Sequence, residues 1–336
     1  MSTPTTMRAL MVEQAGAPFV SVTLPAPVAG PGQVLVRIAA SGVNPLDTKI
    51  RAGTAAHAKQ PLPAILGIDL AGTVIAVGRD AGDFRVGDEV YGMAGGIGGL
   101  QGTLAELAAV DHRLIARKPS NLTMREAAAL PLAAITAWEG LVDRAQVAAG
   151  QKVLVHGGAG GVGHVAVQLA KALGAEVYTT VAADQFDIAR GYGAQPIDFR
   201  AQSVEQYVDA CTGGEGFDVV YDTVGGATLD ASFKAARLYG GHVVSILGWA
   251  THSLAPLSFR AATYSGVFTL LPMTTGRGRE RHGRILRKVA ALVEAGKLLP
   301  LLDKTTFTLD NTLDAHHRVE TGQARGKVVV DVVSAA

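Results

Sequence analysis

The 336-residue chain has one cysteine, Cys211, so no intrachain disulfide can form and the fold must be held by a packed core. That cysteine economy makes a cytoplasmic location the expectation. No uninterrupted apolar run reaches the roughly 18 residues that a membrane helix needs. The opening stretch MSTPTTMRALMVEQ lacks the charged-then-apolar pattern of a secretory signal. No charge of one sign dominates either. Thirty Lys and Arg against 29 Asp and Glu leave a net charge of +1, which predicts no bulk attraction to nucleic acid or membrane. The nine histidines form no H-E-x-x-H, and His316 and His317, adjacent on a predicted helix, face different directions. With 48% hydrophobic and 18% charged residues, the composition suits a soluble enzyme with a large core, and the length suits two domains.

What is present is organised around Lys152 to Thr180. Lys152 to His156 is a short apolar run ending on glycines, which predicts a buried strand. Gly158, Gly160 and Gly163 make a G-x-G-x-x-G, with Gly161 and Val162 inside it. Val165, Leu169, Ala172 and Leu173 then recur at helical spacing, and Glu176 to Val181 is β-branched and strand-like. A strand, glycine turn and helix inside a βαβ unit is the context in which this motif binds a dinucleotide. Gly158 is expected to allow the tight turn, Gly160 to admit the pyrophosphate, and Gly163 to let the helix pack close. The helix N-terminus offers N–H groups and a positive dipole end to the phosphates. NAD-specific folds place an acid roughly 20 residues beyond the fingerprint. Here Tyr178, Thr179, Thr180 and Val181 carry no carboxylate, so NADPH is expected, with NADH open.

Around this unit the pattern changes twice. Up to about residue 120, short strands (Met7 to Glu13, Gln33 to Ala40, Leu70 to Val77, Phe84 to Gly92) and close turn signals predict an all-β, barrel-like domain. Ser41 to Gly53, SGVNPLDTKIRAG, is a connecting segment within it. Thr123 and Glu126 form a capping box for a helix, and LAAITAWEGLVDRA predicts a second helix. Helices and strands then alternate to about residue 260, which predicts a parallel sheet with helices on both faces. Gly225, Gly226 and Leu247 follow later strands, at the carboxyl ends where such sheets bind ligands. The last part is mixed: Tyr264 to Leu270 and Lys327 to Val333 as strands, His282 to Ala295 and Asn311 to Glu320 as helices. The fold class is thus α/β, a doubly wound Rossmann sheet (126–264) inserted in a β-rich domain (1–125 plus 265–336).

SGVNPLDTKIRAG, LGIDLAGTV, GDEVYG, GTLAELA, PLAAITAWEGL, VLVHGGAGGVG, DVVYDTVGG, GGHVVSILG and ARGKVVVDV occur in this order. Their series resembles the medium-chain dehydrogenase/reductase superfamily, in particular its zinc-independent quinone oxidoreductase branch related to zeta-crystallin. The resemblance implies that the β-rich domain is GroES-like, with the active site in the cleft beside the Rossmann domain. It also implies a homodimer paired through the strand near Tyr264 to Leu270. It places Asn44, Asp47 and Lys49 near the nicotinamide as catalytic candidates. Asn44 would hydrogen-bond substrate or ribose, Asp47 would orient the segment, and Lys49 would donate to an enolate or quinol oxygen. As cofactor contacts it implies Thr136, Gly225, Leu247, Phe268, Thr269 and the terminal pair Gly326 and Lys327, beside the fingerprint, Thr180 and Gln185. The family often has tyrosines where this chain has Lys49 and Ala55, a lysine where it has Gln185, and a tyrosine where it has Phe199. Arg190 and Arg200 are the nearby cations that would compensate.

Zinc members of the superfamily need a thiolate, an imidazole and a carboxylate. Here Asn44 stands in the cysteine position, and Gly67, Ile68 and Asp69 stand where the others carry Gly-His-Glu. No metal is therefore expected. The expected reaction is hydride transfer from NADPH to a quinone or similar conjugated acceptor. An NADPH-dependent 2-alkenal, enone or enoyl-thioester reductase is the alternative, and a non-enzymatic nucleotide- or RNA-binding protein a second one. No nucleic-acid or membrane partner is expected. The basic stretch Gly276 to Lys288 is expected to be a solvated face, and Cys211 a structural thiol.

Overall fold

The computed structural model describes residues 4–332; Val333, the expected end of the last strand, lies outside them. The chain divides into two compact units. The first comprises the described residues of Met1–Leu132, Leu270–Ala295 and Pro300–Ala336, and the second Ala133–Thr269 with Gly296–Leu299.

The first unit opens with β1 (Thr6–Val12), β2 (Val20–Pro25), β3 (Gln33–Val43), α1 (Pro45–Arg51), β4 (Ala64–Ile65), β5 (Asp69–Val77), β6 (Glu89–Met93), β7 (Leu107–Asp111), β8 (Ile115–Arg117) and α2 (Met124–Ala128). In the second unit follow α3 (Pro131–Trp138, whose first two residues belong to the first unit), β9 (Lys152–His156), α4 (Gly163–Ala172), β10 (Glu176–Val181), α5 (Phe186–Gly191), β11 (Gln195–Asp198), α6 (Val204–Thr212), β12 (Val219–Asp222), α7 (Ala227–Ala235), β13 (His242–Ser245), α8 (Ala255–Arg260) and β14 (Thr263–Gly266). The first unit resumes with α9 (Leu271–Thr275), α10 (Arg279–Glu294), β15 (Phe307–Thr308), α11 (Thr312–Glu320) and β16 (Val328–Asp331).

Two sheets build the first unit: β2-β1-β4, and a seven-stranded sheet ordered β15-β16-β3-β5-β6-β8 with β7 also on β3. The eleven-residue β3 is its spine, pairing antiparallel with β5, β7 and β16. The core behind it is formed by Val34, Val36, Ile38, Leu70 and Tyr91, all at most 1% exposed. Tyr91 keeps its hydroxyl satisfied by donating to the Leu286 carbonyl of α10 at 2.7 Å. The expectation of an all-β first third needs correction, because Pro45–Arg51 is helical. The Asn-Pro-x-Asp run is a helix start: Asn44 caps, Pro45 supplies a preset φ, and the Asp47 carboxylate reaches back to the Asn44 N–H at 2.8 Å.

The second unit holds one parallel six-stranded sheet, β11-β10-β9-β12-β13-β14. Strand order reverses between β9 and β12, which neighbour each other although three helices and two strands separate them in the chain. Two expectations change here. The strand expected to run to Leu270 ends at Gly266, and the helix expected over LAAITAWEGLVDRA relaxes into a π-helical turn at Glu139–Arg144. Gly140 explains the second: a Cβ there would lie 2.1 Å from the Tyr221 ring, which donates its hydroxyl to the Thr136 carbonyl at 2.8 Å. Among the described residues no helix is long and apolar enough to cross a membrane.

Candidate active site

In the first unit the candidate residues converge at the end of β3. Gly42 lets α2 approach, since a Cβ there would lie 2.2 Å from the Ala128 carbonyl oxygen. Two residues on, Asn44 is 1% exposed. Its Nδ2 donates to Asp69 Oδ2 at 3.0 Å, and its Oδ1 accepts from the Lys327 ammonium. Lys327 Nζ also donates to the Val43 carbonyl at 3.3 Å. The other Asp69 oxygen accepts from the Leu132 N–H at 3.0 Å. Asp47, Asp69 and Lys327 are all buried, so one cation serves two carboxylates. Burial pushes Asp47 up to about 7 and Asp69 up to about 6, against the lowering pull of Lys327, while burial pulls Lys327 below its ordinary value. Lys49, the third expected catalytic residue, is exposed on α1 and stays out of this cluster.

Lys327, expected as a cofactor contact, donates its ammonium to Asn44 Oδ1 and the Val43 carbonyl. Gly326, with φ +115°, lets the chain turn tightly past Leu301 before Lys327. Asp69 was absent from the expected catalytic set. Its only signal was its place in the segment where zinc members carry an acid. The cluster does not fit a metal ion: an amide stands in place of the thiolate, Ile68 in place of the imidazole, and an internal ammonium already lies among the two carboxylates.

In the second unit the fingerprint loop joins β9 to α4. Gly158 was expected to provide the tight turn, but the left-handed residue is Gly157, at φ +74°. Gly158 serves close packing, since a Cβ there would lie 2.0 Å from Thr179 Oγ1. A Cβ on Gly163 would lie 2.0 Å from the Gly157 carbonyl oxygen, which agrees with the close helix approach expected of it. Gly160 differs: a Cβ there would meet only the Gly157 oxygen, at 3.1 Å. The loop is thus pressed against β10 at Gly158 and open at Gly160, a cradle that a pyrophosphate fits. The residues that would hold a dinucleotide there are Gly160, Gly161, Val162 and Gly163.

The remaining cofactor candidates lie in the same unit. Thr180 turns its hydroxyl toward His156 Nδ1 (3.0 Å) and the Gly157 N–H (3.3 Å). Gln185 is half-buried and caps the turn at Ala182. Gly225, at φ +78°, donates to both oxygens of Asp222, and the Leu247 N–H donates to Ser245 Oγ at 3.1 Å. Phe268 meets Trp249 edge to face at 6.0 Å, and Thr269 is buried. Thr136 is buried on α3. Sequence reasoning missed His156, Asp222 and Ser245. Each is the last residue of its strand, and a polar residue closing an apolar strand is the signal that would have found them.

Residues 30–120 match the family described as "Alcohol dehydrogenase GroES-like domain", and residues 192–330 the one described as "Zinc-binding dehydrogenase". A 2-methylene-furan-3-one reductase of Solanum lycopersicum is 38% identical over 308 residues, covering 89% of this chain and 71% of the relative. The chloroplastic NADPH-dependent alkenal/one oxidoreductase of Arabidopsis thaliana is 36% identical over 306 residues, covering 89% and 72%. Among solved structures, an alcohol dehydrogenase superfamily protein from Novosphingobium aromaticivorans superposes with a TM-score of 0.95 at 56% identity, covering 97% of this chain and 100% of that one. The quinone oxidoreductase from Coxiella burnetii gives 0.82 at 30% identity, covering 98% and 100%. The chain belongs to the medium-chain dehydrogenase/reductase superfamily, with a GroES-like domain in its first unit and a Rossmann sheet in its second. It is an oxidoreductase.

Proposed function

We propose that this oxidoreductase reduces the carbon–carbon double bond of a conjugated carbonyl, an enone or 2-alkenal, with NADPH and without zinc. The observation that carries this is the Lys327 ammonium on Asn44, among Asp47 and Asp69, where a metal member would need free donors. Without a Lewis acid, an acceptor must delocalise the negative charge that hydride addition creates, and a conjugated carbonyl does so. The names of the tomato and Arabidopsis relatives agree with this class. Quinones, which delocalise charge equally well, form the second reading, favoured by the likeness to the Coxiella quinone oxidoreductase.

The bound reduced nicotinamide supplies the hydride. Asn44 contributes orientation. Its carbonyl oxygen is taken by Lys327 and one amide N–H by Asp69, so the second amide N–H is the one left to donate to a carbonyl oxygen or ribose. Lys49, on the helix that Asn44 caps, adds an exposed cation for developing negative charge. For the cofactor, β10 ends without the carboxylate that a 2′-phosphate would meet. Arg200, stacked over the Phe199 ring at 5.4 Å, offers an exposed guanidinium just beyond β11.

The test is oxidation of NADPH, and separately NADH, with an enone, a 2-alkenal, a quinone, an enoyl thioester and a simple alcohol/ketone pair, each with and without chelator. Chelator-insensitive enone or alkenal turnover preferring NADPH is expected. Turnover confined to the alcohol/ketone pair, or abolished by chelator and restored by zinc, would overturn the reading. Fast quinone turnover with inert enones would select the second one.

A further inference from the structure

Four neighbouring strands of the second unit carry a single polar row at or next to their last residues. Thr180 of β10 is the register partner of His156 of β9, His156 of Asp222 of β12, and Asp222 of Ser245 of β13. Register partners in a parallel sheet project on the same face. All four are buried, at 5%, 3%, 0% and 1% exposure. His156 Nδ1 and Thr180 Oγ1 lie 3.0 Å apart, and Ser245 Oγ donates to Asp222 Oδ2 at 2.7 Å. Asp222 is close enough to act electrostatically on the imidazole, whose burial keeps it neutral down to about pH 4. Among the described residues, His156 Nε2 has no hydrogen-bond partner.

The row also holds loops. Thr180 Oγ1 accepts from the Gly157 N–H at 3.3 Å, at the start of the fingerprint loop. Asp222 accepts from Val224 N at 3.1 Å and from Gly225 N at 3.0 and 3.1 Å. Ser245 Oγ accepts from Leu247 N at 3.1 Å. These are the loops that leave β9, β12 and β13, on either side of the point where strand order reverses, and ligands of open parallel sheets bind at that point. Each loop has its own anchor, and the anchors lie side by side across the sheet.

We propose that Thr180, His156, Asp222 and Ser245 work as one positioning unit that sets the loops after β9, β12 and β13 together in the arrangement that receives the dinucleotide. The ligand in this statement rests on the proposed NADPH reading; the coupling of the loops is a property of the chain alone. None of the four is a catalytic residue. Thr180 and His156 form one hydrogen-bonded pair and Asp222 and Ser245 the other, and Thr223, which follows Asp222, ties the two by donating its hydroxyl to the His156 carbonyl at 2.6 Å. Polar groups buried side by side polarise and orient one another, so loosening one end of the row is felt at the other.

The test uses Ser245→Ala and Thr180→Val at opposite ends of the row, and the double variant. Amide hydrogen exchange reports on segments 157–163, 223–226 and 246–248, and titration reports NADPH affinity. Ser245→Ala is expected to speed exchange at 157–163 as well as at 246–248, and to weaken NADPH binding about tenfold, the factor that one lost hydrogen bond can carry. The double variant is expected to lose less than the product of the two single losses. Exchange that rises only at 246–248, or losses that simply multiply, would overturn the proposal. If the wild-type protein binds no nicotinamide dinucleotide yet Ser245→Ala loosens the fingerprint loop, the row stands and the proposed function falls. If the wild type binds NADPH and Ser245→Ala leaves segment 157–163 protected, the row alone falls.

Discussion

Lys327 sits with Asn44, Asp47 and Asp69 in a space where, among the described residues, its ammonium is the one cation acting on two carboxylates. Removing one partner of a buried charge group costs more than the group contributes, because the remaining charges are stranded. Lys327→Met is therefore expected to destabilise the fold by about 3–5 kcal/mol, read from denaturant melts. The same cluster sets a pH dependence. Asp47 is raised from an ordinary 3.8 to about 7 by burial, so the folded state holds its proton more tightly than the unfolded chain does. The stability it lends is complete below about pH 3.8 and is lost as pH rises through about 7. Wild-type stability should therefore fall between pH 5 and pH 8, and Asp47→Asn, which cannot ionise, should fall less; equal slopes would remove Asp47 as the cause.

At the scale of the element, the fingerprint loop divides two jobs among the glycines of one motif. Gly158 and Gly163 are needed for packing, against Thr179 and the Gly157 carbonyl, whereas Gly160 leaves space. Gly163→Ala should cost about 1–3 kcal/mol, as overpacking does, and lose cofactor binding with it. Gly160→Ala should keep the melting temperature near that of the wild type while weakening NADPH binding, because its methyl would occupy ligand space. A scan that lowered both melting temperatures alike would contradict this division. Helix α1 teaches a related lesson. Asn44-Pro45-x-Asp47 has the composition of a turn and also that of a helix start, and only the return bond from Asp47 to the Asn44 N–H decides for the helix.

For the whole molecule, β14 closes one edge of the Rossmann sheet. Thr263 N and Val267 N donate inward to β13 and its flanks, so the alternating N–H groups of Tyr264 and Gly266 point away from the sheet. An open edge is a template for pairing with another chain. The homodimer implied by the resemblance would use it, and sedimentation is expected to give twice the monomer mass. Gly266→Pro, which removes one outward donor and costs the sheet no bond, should shift that equilibrium to monomer; an unchanged mass would place the contact elsewhere.

Much was legible in residue order. The βαβ unit around Lys152 to Thr180, the capping box at Thr123 and Glu126, and the alternation that makes a parallel sheet are local patterns, written in periodicity and turn chemistry. The absence of a carboxylate at the end of β10 was equally plain. Tertiary structure decided what local pattern cannot carry. Lys327 reaches Asn44 across 283 positions of the chain, because β16 lies antiparallel to β3 with Val328 opposite Val43. His156, Asp222 and Ser245 align only once β9, β12 and β13 take their register. Period and propensity are properties of neighbours in sequence, whereas register and burial are set by which faces must leave water together.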